Sequence, residues 1–223
     1  VIRPEPVSPL NALPELEARR HLPQAILLND VSLREGEQSE GVEFSLELKL
    51  ELARALEAVG VRQIQVGYPG RFARDAESVR AVANGLGSAR VEAVALAFVP
   101  DWEQEIDACL ESGAHVVNVV YRASDRLLRV LGVTREHALS RAREAVRRAA
   151  AGGTTVAFTP SDSTRAEPDF LEELWRAAAA AGAQRVYVAD SIGVATPELV
   201  ALLVERARAA SGLPVGVHCH DDL

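Results

Sequence analysis

Two stretches hold the residue types that could do chemistry: "GVHCHDDL" at residues 216–223 and "NDVSLREGEQ" at residues 29–38. His218 and His220 stand one residue apart. On an extended strand alternate residues share a side, so both imidazoles face one way and Cys219 the other, packed against outer helices. A bare His-x-His is more often a pair of hydrogen-bonded histidines than a metal site. The second stretch crowds Asp30, Arg34, Glu35, Glu37 and Gln38 together. Such a run is usually a solvated loop, but this one directly follows the apolar "AILLND", and loops behind buried strands carry chemistry. Two imidazoles and one carboxylate bind a divalent ion on one face and leave its other positions open. Asp30, Glu35 and Glu37 are all available as the carboxylate.

For these ends to meet, the chain between them must curl. Apolar runs at "VRQIQVG", "VEAVALAFV", "AHVVNVVY", "TTVAFT", "QRVYVAD" and "LPVGVH" alternate with helical stretches rich in Ala, Leu, Glu and Arg. In "SLELKLELARALEAVG" the residues Leu48, Leu52, Ala55, Leu56 and Val59 recur at helical spacing and predict the buried face. Gly60, Gly113, Gly152, Gly153, Gly182 and Gly212, with Gly85 and Gly87 at the remaining junction, mark returns from helix to strand. Thr196 before Pro197 is a capping residue followed by a pre-set first turn, and Asp101 with Gln104 resembles a capping box. Seven apolar strands alternating with six helices predict a parallel sheet covered by helices. The unit length of roughly 30 residues fits an α/β, (β/α)8 TIM barrel, and no Gly-rich fingerprint of a dinucleotide fold follows the first strand. The active site of such a barrel lies at the carboxyl ends of its strands. Residues 1–24, with five prolines, read as an N-terminal extension, and residues 25–223 as a barrel domain ending at its seventh strand, its eighth expected beyond.

Bulk composition narrows the rest. With 48% hydrophobic and 25% charged residues the chain is an ordinary globular one. A net charge of −8 argues against nucleic acid, and an acidic substrate would need a local cation. Two cysteines are too few for a disulfide framework, and neither a signal peptide nor a membrane span is evident, which points to the cytoplasm.

"NDVSLREGEQ" followed by "VHCHDDL" resembles the homocitrate synthase and 2-isopropylmalate synthase family, within the TIM-barrel metallolyases named for their Asp, Arg and Glu motifs. "IQVGYPG", "SDRLLRVLGVTREHAL", "FTPSDSTRAEPDFL" and "YVADSIGVATPEL" fall at the family's places in order. The resemblance implies that Glu35, His218 and His220 hold a divalent metal (Zn, Mn, Mg or Co) and that Arg34 stabilises an enolate oxygen. Gln38, Thr159 and Ser191 match positions that contact the oxo acid or the metal site. The implied activity is a Claisen-type condensation of acetyl-CoA with a 2-oxo acid, an acyltransferase reaction, in a homodimer. Asp30 reads as structural.

Three positions depart from the family. Gln65 replaces a strand-two glutamate and can hydrogen-bond Arg34 without neutralising it. Ser161 stands where an acid precedes Asp162, and Phe98 replaces a strand-three arginine that meets the distal part of the oxo acid. A changed substrate is expected, with dicarboxylic oxo acids disfavoured unless Arg122 or Arg165 takes over. Alternatives are a lyase or aldolase of the same superfamily, as in hydroxymethylglutaryl-CoA lyase, and a barrel that binds metal without turnover. Trp102 and Trp175 read as outer packing, His115 as a surface or capping histidine and His137 as solvated, while Tyr68 and Pro69 either line the mouth or simply form the turn of "GYPG".

Overall fold

A computed structural model describes residues 25–221, so the expected N-terminal extension lies outside the described residues. Seven parallel strands form one sheet in chain order: β1 (Asn29–Asp30), β2 (Gln63–Gly67), β3 (Arg90–Leu96), β4 (Val116–Arg122), β5 (Thr155–Ser161), β6 (Arg185–Asp190) and β7 (Val215–Cys219). The helices are α1 (Ser32–Glu35), α2 (Leu46–Ala58), α3 (Ala73–Gly85), α4 (Trp102–Glu111), α5 (Asp125–Leu131), α6 (Arg135–Ala151), α7 (Pro168–Ala181) and α8 (Pro197–Ser211). The expected barrel architecture holds, with seven strands among the described residues and eight helices rather than six. The extra helices have local causes. One turn of helix forms in the loop after β1, and the β4–β5 connection is split at Gly132, whose left-handed backbone (φ 69°) ends α5.

Alternation along the strands sorts two environments. Ile64, Val66, Val91, Val117, Val119, Phe158, Val186 and Val188 point outward and are fully buried under the helices, against Val79, Ile106, Leu171, Leu174 and Trp175. Each large apolar side chain buried this way contributes about 1.5–3 kcal/mol. Trp175 also donates its indole N–H to the Tyr187 carbonyl at 3.1 Å. The inward residues are mixed: Gln63, Gln65, Glu92, Asn118 and Thr159 sit beside the small apolar cluster Val116, Ala157 and Tyr187.

Local signals place most helix ends. Ser45, Ser124, Thr134 and Thr196 each accept a first-turn N–H. Gly60, Gly113, Gly153, Gly182 and Gly212 take positive φ as expected, whereas Gly85, Gly87 and Gly152 do not. Asp101 precedes α4 without capping it, because its carboxylate pairs with Arg71 at 2.7 Å.

The buried face of α2 differs from the helical-spacing expectation. Lys49 and Ala53 are buried and Leu52 and Leu56 partly so, while Leu48, Ala55 and Val59 are exposed. Lys49 is buried with partners for its charge, Glu37 at 2.6 Å and Asp75 at 3.8 Å. Cys219 also differs: it is exposed, since among the described residues no helix follows β7 to cover its outer side.

Candidate active site

The strands curl far enough that the loop behind β1 meets the end of β7. Glu35 Oε2 lies 4.0 Å from His218 Nε2, and Glu35 Oε1 lies 3.9 Å from His220 Nε2. The two Nε2 atoms are 3.2 Å apart, with the rings edge to face. One ligand atom from each of the three residues lies within 4.8 Å of the other two. Glu35 Oε2 is buried without a hydrogen-bond donor and is held by its ion pair with Arg34. Burial pulls the His218 imidazole below its ordinary pKa; Glu35 opposes this, while Arg34 and His220 add to it. A neutral imidazole is the form that ligates a metal. Two imidazole nitrogens and a carboxylate oxygen at these separations fit a divalent ion at the common ligand distances of about 2.0–2.2 Å.

The other carboxylates of the first loop turn away, which resolves the choice among three. Asp30 accepts the Ser32 N–H at 2.9 Å, the structural role expected of it. Glu37 pairs with Lys49 and accepts the Phe44 N–H at 3.0 Å. Burial works against the Glu37 carboxylate, but Lys49, Phe44 and Arg74 outweigh it and hold the group below its usual range.

Arg34 is clamped from several sides. It pairs with Glu35, donates Nε–H to the Gln65 side-chain carbonyl, and donates from Nη1 to the Tyr68 hydroxyl at 2.9 Å. Strict alternation along β2 would send Gln65 inward and Tyr68 outward. The register between β2 and β3 shifts between Gln65 and Gly67, and a bulge of this kind re-aims the residues after it. Both side chains therefore reach Arg34. Of the two sequence readings of Tyr68 the mouth-lining one holds, and Gly67 at the register shift is the signal, since a glycine within a strand often marks a bulge.

Behind Arg34 lies a buried polar network centred on Glu92 of β3, which is fully buried. Gln65, Gln63, Asn29 and Asn118 all donate side-chain amide N–H bonds to its carboxylate, the last two at 3.1 Å. Each of three amides is oriented by a donor at its carbonyl end: Arg34 for Gln65, Arg185 for Gln63 and Thr159 for Asn118. Burial pushes the Glu92 pKa up, and Gln65, Asn118, Asn29 and Arg185 push it down. Four donors on two oxygens are the pattern an ionised carboxylate accepts. Glu92 and Asn118 were legible in principle as polar residues at inward positions of "VEAVALAFV" and "AHVVNVVY".

The remaining predicted residues line one cavity of about 880 Å³ that runs along the gap between β1 and β7. Gln38 points its amide toward the Tyr68 hydroxyl at 3.5 Å, and Thr159 donates to Asn118 at 2.8 Å. Ser191 accepts the Asp162 backbone N–H at 2.9 Å, so it braces the β5 loop as well as facing the cavity. Gly193 (φ 67°) lies so close to β7 that a Cβ would fall 2.6 Å from the His220 carbonyl oxygen. Only glycine lets the loop after β6 press on the strand end that carries the histidines. Ser161 donates to the Tyr121 carbonyl at 3.3 Å. His115 accepts the Val91 N–H at 3.0 Å, far from the mouth, and His137 is exposed on α6.

A parallel α/β barrel sheet thus brings a carboxylate, two imidazoles and a clamped guanidinium together at its carboxyl-end mouth. The chain belongs to the HMGL-like family, whose model matches residues 25–223. It is 41% identical over 209 residues to a probable 2-isopropylmalate synthase of Ignicoccus hospitalis, covering 92% of this chain and 51% of that protein. It is 36% identical over 201 residues to the homocitrate synthase AksA of Methanopyrus kandleri, covering 90% and 50% respectively. The chain thus spans about half the length of the curated relatives it matches. Among solved structures, hydroxymethylglutaryl-CoA lyase from Pseudomonas aeruginosa superposes with a TM-score of 0.73 at 24% identity, over 90% of this chain and 69% of that one. That likeness shows the fold alone. Among the described residues no helix is long and apolar enough to cross a membrane.

Proposed function

We propose that this chain carries the active site of a metal-dependent acyltransferase that joins the acetyl methyl carbon of acetyl-CoA to the oxo carbon of a 2-oxo acid and then hydrolyses the resulting thioester with water, giving a 2-hydroxy-2-carboxymethyl acid and free CoA. The observation that carries the reading is the convergence of Glu35, His218 and His220 beside Arg34. The names of the relatives at 41% and 36% identity support the synthase direction over the lyase one.

Glu35, His218 and His220 would hold the divalent ion, which when bound supplies Lewis-acid polarisation of the oxo group. The protein's own groups account for the other half. As the acetyl methyl loses a proton, negative charge grows on the thioester oxygen, and a fixed guanidinium there lowers its cost. Arg34 is fixed: Glu35, Gln65 and Tyr68 hold it before any substrate arrives, so little reorganisation accompanies the reaction. Gln38, Thr159 and Ser191 offer an amide and two hydroxyls to the oxo acid from three sides of the cavity.

The test is thiol release by the full-length, metal-loaded protein from acetyl-CoA across a panel of 2-oxo acids, beside cleavage of hydroxyacyl-CoA substrates. Oxo-acid-dependent CoA release is expected. Cleavage without condensation would move the assignment to a lyase, and metal binding with no solvent deuterium entering the acetyl methyl would leave a binding barrel.

A further inference from the structure

The hydroxyl of Tyr68 is a crossing point at the mouth. Its oxygen accepts the Nη1–H of Arg34 at 2.9 Å, and the Gln38 amide nitrogen approaches the same oxygen at 3.5 Å. A phenol oxygen also carries a hydrogen of its own to donate. With N–H groups turned on its lone pairs, that hydrogen points away from them, and among the described residues no side chain or carbonyl accepts it. The side chain lines the same cavity as Glu35, His218 and His220. The other arginines of this rim are seated elsewhere: Arg165 forks onto Asp162 at 2.7 and 2.9 Å, and Arg122 stacks on the Phe98 ring at 4.2 Å. The cation bonded to this phenol is Arg34.

A cationic donor on the phenol oxygen draws electron density from it and makes its O–H a stronger donor. Burial pushes the Tyr68 pKa above its ordinary value, with Glu35 adding to it and Arg34 and Gln38 opposing, so the hydrogen stays in place at neutral pH. The residue is also fixed from behind. Its backbone N–H is donated to Oδ2 of the buried Asp75 at 2.8 Å, and a Cβ at Gly67 would fall 2.6 Å from that same oxygen. Glycine at 67 is what lets the end of β2 press on the carboxylate that pins Tyr68. Arg34 Nη1 and the Tyr68 hydroxyl are 2.9 Å apart. One substrate oxygen can therefore lie within about 2.7–3.1 Å of both, the range in which such donors act on an oxyanion. Arg34 keeps further N–H hydrogens for it after serving Glu35, Gln65 and Tyr68.

We infer that Tyr68 is a catalytic residue: its O–H, beside Arg34, donates to the thioester oxygen of the acyl-CoA as negative charge grows there, so that a phenol and a guanidinium share one oxyanion. The inference rests on the synthase reading above and adds a second donor to its enolate-forming step.

The experiment compares full-length, metal-loaded wild type with Tyr68→Phe and with Tyr68→3-fluorotyrosine, at a pH where both phenols are protonated. CoA release from acetyl-CoA with 2-oxo acids is followed beside solvent deuterium entry into the acetyl methyl. Tyr68→Phe should lower kcat and deuterium entry together about 100-fold and leave both KM values little changed. Fluorine makes the phenol a stronger donor and a weaker acceptor. The fluorinated protein should therefore match or exceed wild type in kcat, and it carries the test if the phenylalanine variant does not fold. A fall toward the phenylalanine value would mean that the hydroxyl only holds Arg34, and would overturn the inference. Undiminished deuterium entry in Tyr68→Phe, or a loss confined to the oxo-acid KM, would do the same. CoA release by Tyr68→Phe at the wild-type rate keeps the synthase and removes the inference. Hydroxyacyl-CoA cleavage in place of condensation removes the synthase alone, because cleavage passes through the same thioester enolate and the loss in Tyr68→Phe must then appear there. A wild type that neither condenses nor cleaves removes both.

Discussion

Gln65 donates its side-chain amide to Glu92 while its own carbonyl accepts from Arg34, so a single neutral residue links a fully buried carboxylate to the guanidinium at the mouth. The negative charge on this side of Arg34 sits one strand further away than a strand-two acid would place it. Gln65→Glu alone sets two carboxylates against each other in the barrel interior and should destabilise the protein by about 2–4 kcal/mol. Glu92→Gln alone leaves amide donors facing one another and should cost about 1–3 kcal/mol. The double substitution restores one acid and one amide to the pair. A double-mutant cycle by urea unfolding should therefore show a favourable coupling above about 1 kcal/mol. Additive losses would mean that the pair does not interact.

Arg34→Lys keeps a charge but cannot reach Glu35, Gln65 and Tyr68 in one plane. If the guanidinium acts on charge that develops only in the transition state, kcat should fall about 100- to 1000-fold, with the oxo-acid KM little changed. Loss of solvent deuterium exchange into the acetyl methyl should accompany it. A KM-only effect would reassign Arg34 to ground-state binding.

Removing any one of Glu35, His218 or His220 by alanine should lower divalent-metal affinity at least about 10-fold while leaving the far-ultraviolet circular dichroism unchanged. Metal content after gel filtration, measured by atomic emission, is the readout. Full stoichiometric binding in all three variants would place the ion elsewhere.

Glu57, at the end of α2, accepts the backbone N–H groups of Gly87, Ser88 and Ala89 before β3, and these bonds hold its pKa down to about 2. A carboxylate with a depressed folded-state pKa stabilises above its ordinary value and loses that stabilisation as pH falls. Glu57→Gln should therefore lower the melting temperature at neutral pH. The gap to wild type should close between the ordinary value of 4.5 and about pH 2. A gap independent of pH would assign the effect to packing.

What short-range chemistry controls was legible in the chain itself. Period-two alternation put both imidazoles of "HCH" on one side, because neighbouring side chains on a strand must point oppositely. Thr196 and the glycine at 182 placed helix ends through bonds that close within a few residues. The strand count and the parallel barrel followed from the repeat. The family resemblance pointed to Glu35, but the physical reason that it is Glu35 that meets the histidines lies in the tertiary structure: Asp30 is spent on Ser32 and Glu37 on Lys49, leaving Glu35. It also decided the inward turn of Tyr68, which depends on a bulge set by the partner strand, and the fate of Lys49, buried by an ion pair across elements. Whether Arg122 or Arg165 keeps a free charge is likewise a matter of who stands beside it, and that depends on contacts between strands far apart in the chain.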